Sequence, residues 1–312
     1  MNNKDGFLCG VFTAIVTPFT ADGARVDEAR LIEQIEFQAN PPDGSGVRGI
    51  VAVGTTGESP TLSDAEQRRV IELAIEHGRR LGLTVVAGTG SNNTAHACAM
   101  QRFAHGAGAD ATLSVTPYYN KPNQEGMYRH FRAVADAADI PVVLYNIPGR
   151  SAAGLTVETI VRLAEHPNVV AVKEAGGSVF AAGEIVRARP SLAVLSGDDP
   201  LTLPMLAVGA VGVVSVVSNL APGRVVAMVE AARAGRWEEA RAAHESLVAL
   251  SRGLLTLEPN PVAVKAAMRL LGRDAGVVRL PLAPACEASV GRLGELLAER
   301  GAREAAGMRG CA

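Results

Sequence analysis

Lysine is almost missing from this chain. Of its 30 basic residues only four are lysine (4, 121, 173 and 265), leaving 26 arginines. Aromatic residues are scarce too, at 4% of 312 positions, so each of the four tyrosines invites a question. The four cysteines, Cys9, Cys98, Cys286 and Cys311, show no C-x-x-C pair and no metal-ligand spacing. Scattered thiols of this kind point to a reducing compartment. No apolar run is long enough to span a bilayer. Met1 to Gly10 carries Lys4 but no apolar core of a signal peptide. The formal net charge of −2 leaves no basic stripe for nucleic acid and no polybasic patch for a membrane. The expectation is a cytoplasmic protein with neither kind of partner.

What is present is alternation. Short β-branched runs at Val11–Val16, Gly49–Val53, Leu83–Ala87, Ala111–Val115, Pro141–Tyr145, Val169–Lys173, Leu192–Ser196 and Gly212–Val216 read as strands. Longer helical patterns lie between them, among them Asp27–Ala39, Ser63–Leu81, Thr94–His105, Gln124–Ala138 and Val157–Glu165. Ser63-Asp64-Ala65-Glu66 reads as a capping box, and Thr156 as an N-cap. Eight such units in about 200 residues have the count and scale of an α/β (β/α)8 TIM barrel. A doubly wound sheet rarely needs so many units, and no G-x-G-x-x-G follows the first strand. Beyond Asn219 the strand signal stops. Three helical patterns, Arg224–Leu255, Pro261–Leu271 and Glu287–Arg300, form a C-terminal appendage. The expected division is a barrel over 1–234 and a helical region over 235–312, with Gly301–Ala312 frayed. The loop Asn40–Gly46 precedes a strand and so falls on the barrel's N-terminal face.

Barrel chemistry sits where strands end. Those ends carry Gly54-Thr55-Thr56-Gly57-Glu58, Thr116-Pro117-Tyr118-Tyr119-Asn120, Tyr145-Asn146-Ile147-Pro148-Gly149-Arg150, Lys173, Gly197-Asp198-Asp199 and Val214-Ser215. A sequence that writes Arg nearly everywhere keeps Lys where a guanidinium fails. Arg cannot act as an amine nucleophile, whereas a desolvated Lys can lose its proton and form a Schiff base. Glu174 is a poor partner for Lys173, because adjacent strand residues face opposite ways. Tyr145 on the neighbouring strand is placed to shuttle protons, with Thr55 linking it to a second hydroxyl. The Gly54–Gly57 turn offers backbone N–H groups for a small carboxylate, and Arg150 a fork for another. Each residue also has an ordinary reading: a turn, a strand-end aromatic, a solvated loop arginine. Asp198-Asp199 reads as a helix cap, and the six histidines as structural or solvated.

These motifs, with Val172-Lys173-Glu174-Ala175 and Glu258-Pro259-Asn260-Pro261, closely resemble the dihydrodipicolinate synthase / N-acetylneuraminate lyase superfamily of class I aldolases, on its synthase side. The resemblance runs from about Gly10 to Leu297. It implies condensation of pyruvate with L-aspartate 4-semialdehyde to 4-hydroxy-tetrahydrodipicolinate, in lysine and diaminopimelate biosynthesis, with no metal or organic cofactor. It implies that Lys173 forms the imine, and that Tyr145, Thr55 and Tyr119 form a proton relay, Tyr119 reaching in from a neighbouring subunit of a homotetramer. Thr56, with Thr55, would hold the pyruvate carboxylate, Arg150 that of the semialdehyde, and Val214 would line the pyruvate pocket. Gly176 stands where the family often has Thr or Ser. The alternatives are a paralogue with another partner substrate and a pyruvate-sensing barrel. The resemblance also places a regulatory lysine pocket at Ser59, Pro60, Asp64, Gln67, Asn92, His96 and Tyr118. His96 replaces the usual Glu there, and Asp64 is expected to be occupied by its capping box, so feedback by lysine is expected to be weak or absent.

Overall fold

A computed structural model describes residues 6–309. Eight parallel strands close a barrel in chain order. They are β1 Gly10–Ala14, β2 Gly49–Ala52, β3 Thr84–Gly88, β4 Ala111–Val115, β5 Val142–Asn146, β6 Val169–Glu174, β7 Ala193–Ser196 and β8 Gly212–Ser215. Each matches a predicted run, with ends shifted by at most one or two residues. Parallel strands are covered on both faces, which is why they read as continuous β-branched runs.

The helices wrapped outside are α1 Glu28–Ala39, α2 Asp64–Arg80, α3 Thr94–Ala107, α4 Gln124–Asp136, α5 Pro148–Ser151, α6 Val157–Leu163, α7 Val179–Ala188, α8 Thr202–Ala207 and α9 Pro222–Arg233. Three more follow: α10 Trp237–Thr256, α11 Val262–Leu270 and α12 Glu287–Arg309. The Ser63 capping box on α2 forms as expected, with Ser63 Oγ accepting from the Glu66 N–H and Glu66 accepting from the Ser63 N–H. The single pattern expected over Arg224–Leu255 is two helices, because Gly235 turns the chain at φ +77°. The last helix also runs past Arg300 to Arg309, where a frayed tail was expected. Gly310 to Ala312, with Cys311, lie outside the described residues, as do Met1 to Asp5.

Two apolar layers position the site. Inside the barrel, Phe12, Val51, Val86, Leu113, Val143, Tyr145, Ala171, Leu195 and Val214 form one buried cluster, and Leu8 and Cys9 join it just ahead of β1. Outside, Leu247, Leu254, Val264, Met268 and Leu293 of the C-terminal helices share a cluster with Leu31 of α1 and Ile71 of α2. The C-terminal region is thus packed against the first barrel units. The Asn40–Gly46 loop is tied down: Asp43 accepts from the N–H groups of Gly223 and Arg224 at 3.1 and 3.3 Å. Gly46 shares a cavity with Gly10 and Gly82, at the starting ends of β1 and β3.

Backbone strain collects at the opposite end. All five non-glycine residues with positive φ among those described, Val53, Glu58, Tyr119, Lys121 and Ala152, lie in the loops after β2, β4 and β5. Such conformations cost about 1–3 kcal/mol each and persist only where the surroundings impose them.

Candidate active site

Lys173 closes the barrel interior. It lies two residues beyond Ala171 on β6, so both side chains point inward. Tyr145 is its register partner on β5, and Lys173 Nζ stands 4.1 Å from the centre of the Tyr145 ring. Both are buried, at 6% and 5% exposure. Gly197 makes room for the lysine stem: a Cβ there would stand 3.1 Å from Lys173 Cγ and 2.7 Å from Ala175 Cβ.

The described lysines fall into three environments. Lys121 is exposed. Lys265 is buried but paired, its Nζ 2.6 Å from Glu58 Oε1 and donating to the Val277 carbonyl at 2.9 Å. Burial pushes the Lys265 ammonium below its ordinary pKa, and Glu58 opposes that shift. The Lys173 side chain has neither an ion pair nor a hydrogen bond among the described residues; it meets the tyrosine face and feels the Asp199 carboxylate only at longer range. Glu174 turns away, as strand alternation requires. It accepts from Asn146 Nδ2 at 2.8 Å and from the Gly176 N–H at 2.6 Å, and burial raises its pKa. A Cβ at Gly176 would lie 2.6 Å from that same carboxylate oxygen, so a Thr or Ser there would displace Glu174.

The turn after β2 leaves its backbone donors unused. No hydrogen bond among the described residues uses the N–H groups of Gly54, Thr55, Thr56 or Gly57. Thr56 and Gly57 are buried and Gly54 and Thr55 half-buried, and backbone donors left unused in such a place call for an acceptor. Thr56 is buried, and its Oγ1 accepts from Asn260 Nδ2 at 2.9 Å, which leaves the hydroxyl proton to donate elsewhere. Thr55 and Arg150 line one cavity of about 370 Å³ with Ser59, Gln67, His96 and Tyr118. Arg150 is exposed there, on α5, with no side-chain partner among the described residues. Val214 is buried in the same interior cluster as Tyr145.

A model of the Dihydrodipicolinate synthetase family matches residues 7–300. The chain belongs to that family. The 4-hydroxy-tetrahydrodipicolinate synthase of Methanothrix thermoacetophila is 48% identical over 290 residues, which make up 92% of this chain and 95% of that protein. Among solved structures, the 4-hydroxy-tetrahydrodipicolinate synthase of the thermoacidophilic methanotroph Methylacidiphilum fumariolicum SolV is 44% identical, with a TM-score of 0.91. Its alignment covers 96% of this chain and 97% of that one. The chloride-inhibited dihydrodipicolinate synthase of Acinetobacter baumannii, solved with pyruvate, is 39% identical at a TM-score of 0.90, over 94% of this chain and 99% of that one.

Within this dihydrodipicolinate synthetase barrel, not every expected group is brought together. The Tyr145 and Thr55 hydroxyls make no hydrogen bond among the described residues. Tyr119 stays outside, 89% exposed on a left-handed backbone at φ +72°. Two expectations are corrected. Asp198 does not cap the turn that follows it. Asp199, buried, instead accepts from the N–H groups of Val216 and Val217 at 2.8 and 3.0 Å, tying the β7 loop to the end of β8. Burial raises its pKa, opposed by the Ser215 hydroxyl, those two N–H groups and, more weakly, by Lys173. Asp64 is not occupied by the capping box, which Ser63 and Glu66 complete. Its carboxylate lies 3.8 Å from His96 Nδ1.

Sequence reading missed Glu58, Asn260, Lys265 and Gly197 as supports. Asn260 lay in a quoted motif, and Lys265 was one of only four lysines. Neither local pattern says that they converge on the β2 turn. Among the described residues no group of three or more His, Cys, Asp or Glu side chains converges to hold a metal ion. No described helix is long and apolar enough to cross a membrane.

Proposed function

We propose that this protein condenses pyruvate with L-aspartate 4-semialdehyde to 4-hydroxy-tetrahydrodipicolinate, through an imine on Lys173. One observation carries the reading: a buried lysine with no salt bridge or side-chain hydrogen bond among the described residues, set against Tyr145 at the interior end of a barrel of this family. Its amine attacks C2 of pyruvate. Loss of water from the carbinolamine gives the imine, and loss of a C3 proton gives the enamine. The enamine carbon adds to the aldehyde carbon of the second substrate. That substrate's own amine then displaces Lys173 and closes the ring. One water leaves overall. The imine is the electron sink, so the chemistry calls for no metal or organic cofactor.

The remaining roles follow from position. Thr55, Thr56 and the unused N–H groups of their turn take the pyruvate carboxylate. Arg150, unpaired at the cavity, takes the carboxylate of the semialdehyde. Val214 walls the pyruvate methyl. Tyr145 moves protons between carbinolamine, imine and enamine, with Thr55 and a partner subunit's tyrosine completing the relay once substrate fills the site. The exposed, strained Tyr119 supports that reading, since a side chain turned outward reaches only a neighbour. The protein then works as a homo-oligomer, a dimer of dimers, in the cytoplasm.

Turnover of pyruvate plus aspartate semialdehyde by the purified protein tests the assignment. Product formation is expected. Absent product, with the lysine adduct still formed, would move the reading to a different aldehyde partner.

A further inference from the structure

Resting on the reading that the Gly54–Gly57 turn takes the pyruvate carboxylate, we propose that Lys265 and Glu58 are a positioning pair that holds this turn in its binding geometry. Glu58 follows the turn directly, in the left-handed conformation at φ +53°. Its N–H donates to the Thr55 carbonyl at 3.1 Å, so wherever Glu58 is held, Thr55 is held. The C-terminal region grips this point three times. Asn260 Nδ2 donates to Thr56 Oγ1 at 2.9 Å, Lys265 Nζ lies 2.6 Å from Glu58 Oε1, and the Arg279 N–H donates to Glu58 Oε2 at 3.0 Å.

The ion pair is almost wholly removed from water, with the Lys265 and Glu58 side chains 3% and 0% exposed. A pair so buried is weak evidence for stability, because desolvating two charges offsets their attraction, and apolar replacement is often neutral. In some proteins a buried pair sets geometry rather than adding stability, and the three contacts here converge on one turn. The choice of lysine agrees. In a chain that otherwise writes arginine, the compact ammonium reaches Glu58, the Val277 carbonyl and, at 4.4 Å, the Phe19 ring together. The Arg279 guanidinium already lies 4.0 Å from the centre of that ring. A second planar fork in place of Lys265 would compete for the same space.

The test compares Lys265→Met, Glu58→Gln and the double variant Glu58→Gln/Lys265→Met, which buries no charge where each single variant leaves one without its partner. In folded variants the KM for pyruvate rises about tenfold to a hundredfold, the cost of a slightly misplaced binding turn. The KM for aspartate semialdehyde stays within about threefold, and borohydride at saturating pyruvate still labels Lys173 fully. Lys265→Arg does not restore the pyruvate KM. A pyruvate KM within about twofold of wild type, with only the melting temperature lowered, overturns the inference. A double variant that fails to fold makes the pair a scaffold element and overturns it too. Thr56→Val separates the two layers. If it raises the pyruvate KM while the pair variants do not, only the positioning role falls. If it leaves that KM unchanged, the carboxylate assignment falls first, and the inference with it.

Discussion

A methyl group at position 197 would stand 3.0 Å from Lys173 Cε and 2.7 Å from Ala175 Cβ. The lysine stem therefore runs through space that only glycine leaves open. Gly197→Ala should displace the stem, slow imine formation at least about tenfold and destabilise the fold by about 1–3 kcal/mol, as overpacking does. The rate of borohydride trapping with pyruvate and a urea melt read the two effects. An unchanged trapping rate would mean that the stem has another path.

Borohydride with pyruvate should attach one pyruvate-derived adduct per chain, on Lys173. Lys173→Arg keeps the charge but abolishes the adduct, because a guanidinium does not act as the nucleophile. Peptide mapping checks it. Label on Lys265 would contradict the assignment, and its 2.6 Å pairing with Glu58 argues against that outcome.

Tyr119→Phe should lower turnover by about a hundredfold while pyruvate binding stays nearly intact, since a relay acts on proton transfer more than on affinity. Activity should follow assembly state in sedimentation. A fully active monomer would contradict a shared site.

Half-inhibition by L-lysine should lie in the millimolar range or above it. His96 lines the cavity with Ser59, Gln67 and Tyr118, and a histidine offers no negative charge for an ammonium. Losing a buried charge partner costs about 2–5 kcal/mol. Asp64, 3.8 Å from His96, is largely exposed and restores little of that charge. A lysine titration decides it, and His96→Glu should increase sensitivity.

Arg279 binds the Glu66 carboxylate at 2.6 and 2.9 Å. That contact, aided by the Ser63 cap, lowers the Glu66 pKa from 4.5 to about 2. A depressed carboxylate pKa stabilises the fold above about pH 4.5, and the contribution is lost as pH falls from there toward 2. Glu66→Gln should therefore cost about 1–3 kcal/mol at neutral pH, allowing for solvent screening. The gap should close near pH 2. Urea melts across this range measure it, and a gap independent of pH would rule the mechanism out.

The surroundings of His96 show where local reading ran out. Asp64 looked committed to its capping box, yet Ser63 and Glu66 complete that box alone, and Asp64 turns to a residue 32 positions away. The Asp198-Asp199 cap failed for the same reason. An N-cap is a local bond, but Asp199 found two N–H groups on the next strand's loop. Similarly, nothing near Gly235 ranked it above the chain's other 32 glycines as a break.

The sequence by itself determined the barrel and its chemical end. Eight β-branched runs alternating with helical patterns bury both sheet faces in one way, and strand periodicity sent Lys173 inward and Glu174 outward. Residue type made lysine the candidate nucleophile in a chain of arginines. Only the tertiary structure decided which buried lysine stays unpaired. Lys173 and Lys265 look alike in sequence, each inside an apolar stretch. The fold brings Glu58 from 207 positions away into a salt bridge with Lys265, and brings the Tyr145 face, with no such bridge, to Lys173. Pairing across such distances depends on how helices and loops close around the barrel, and no local pattern encodes it.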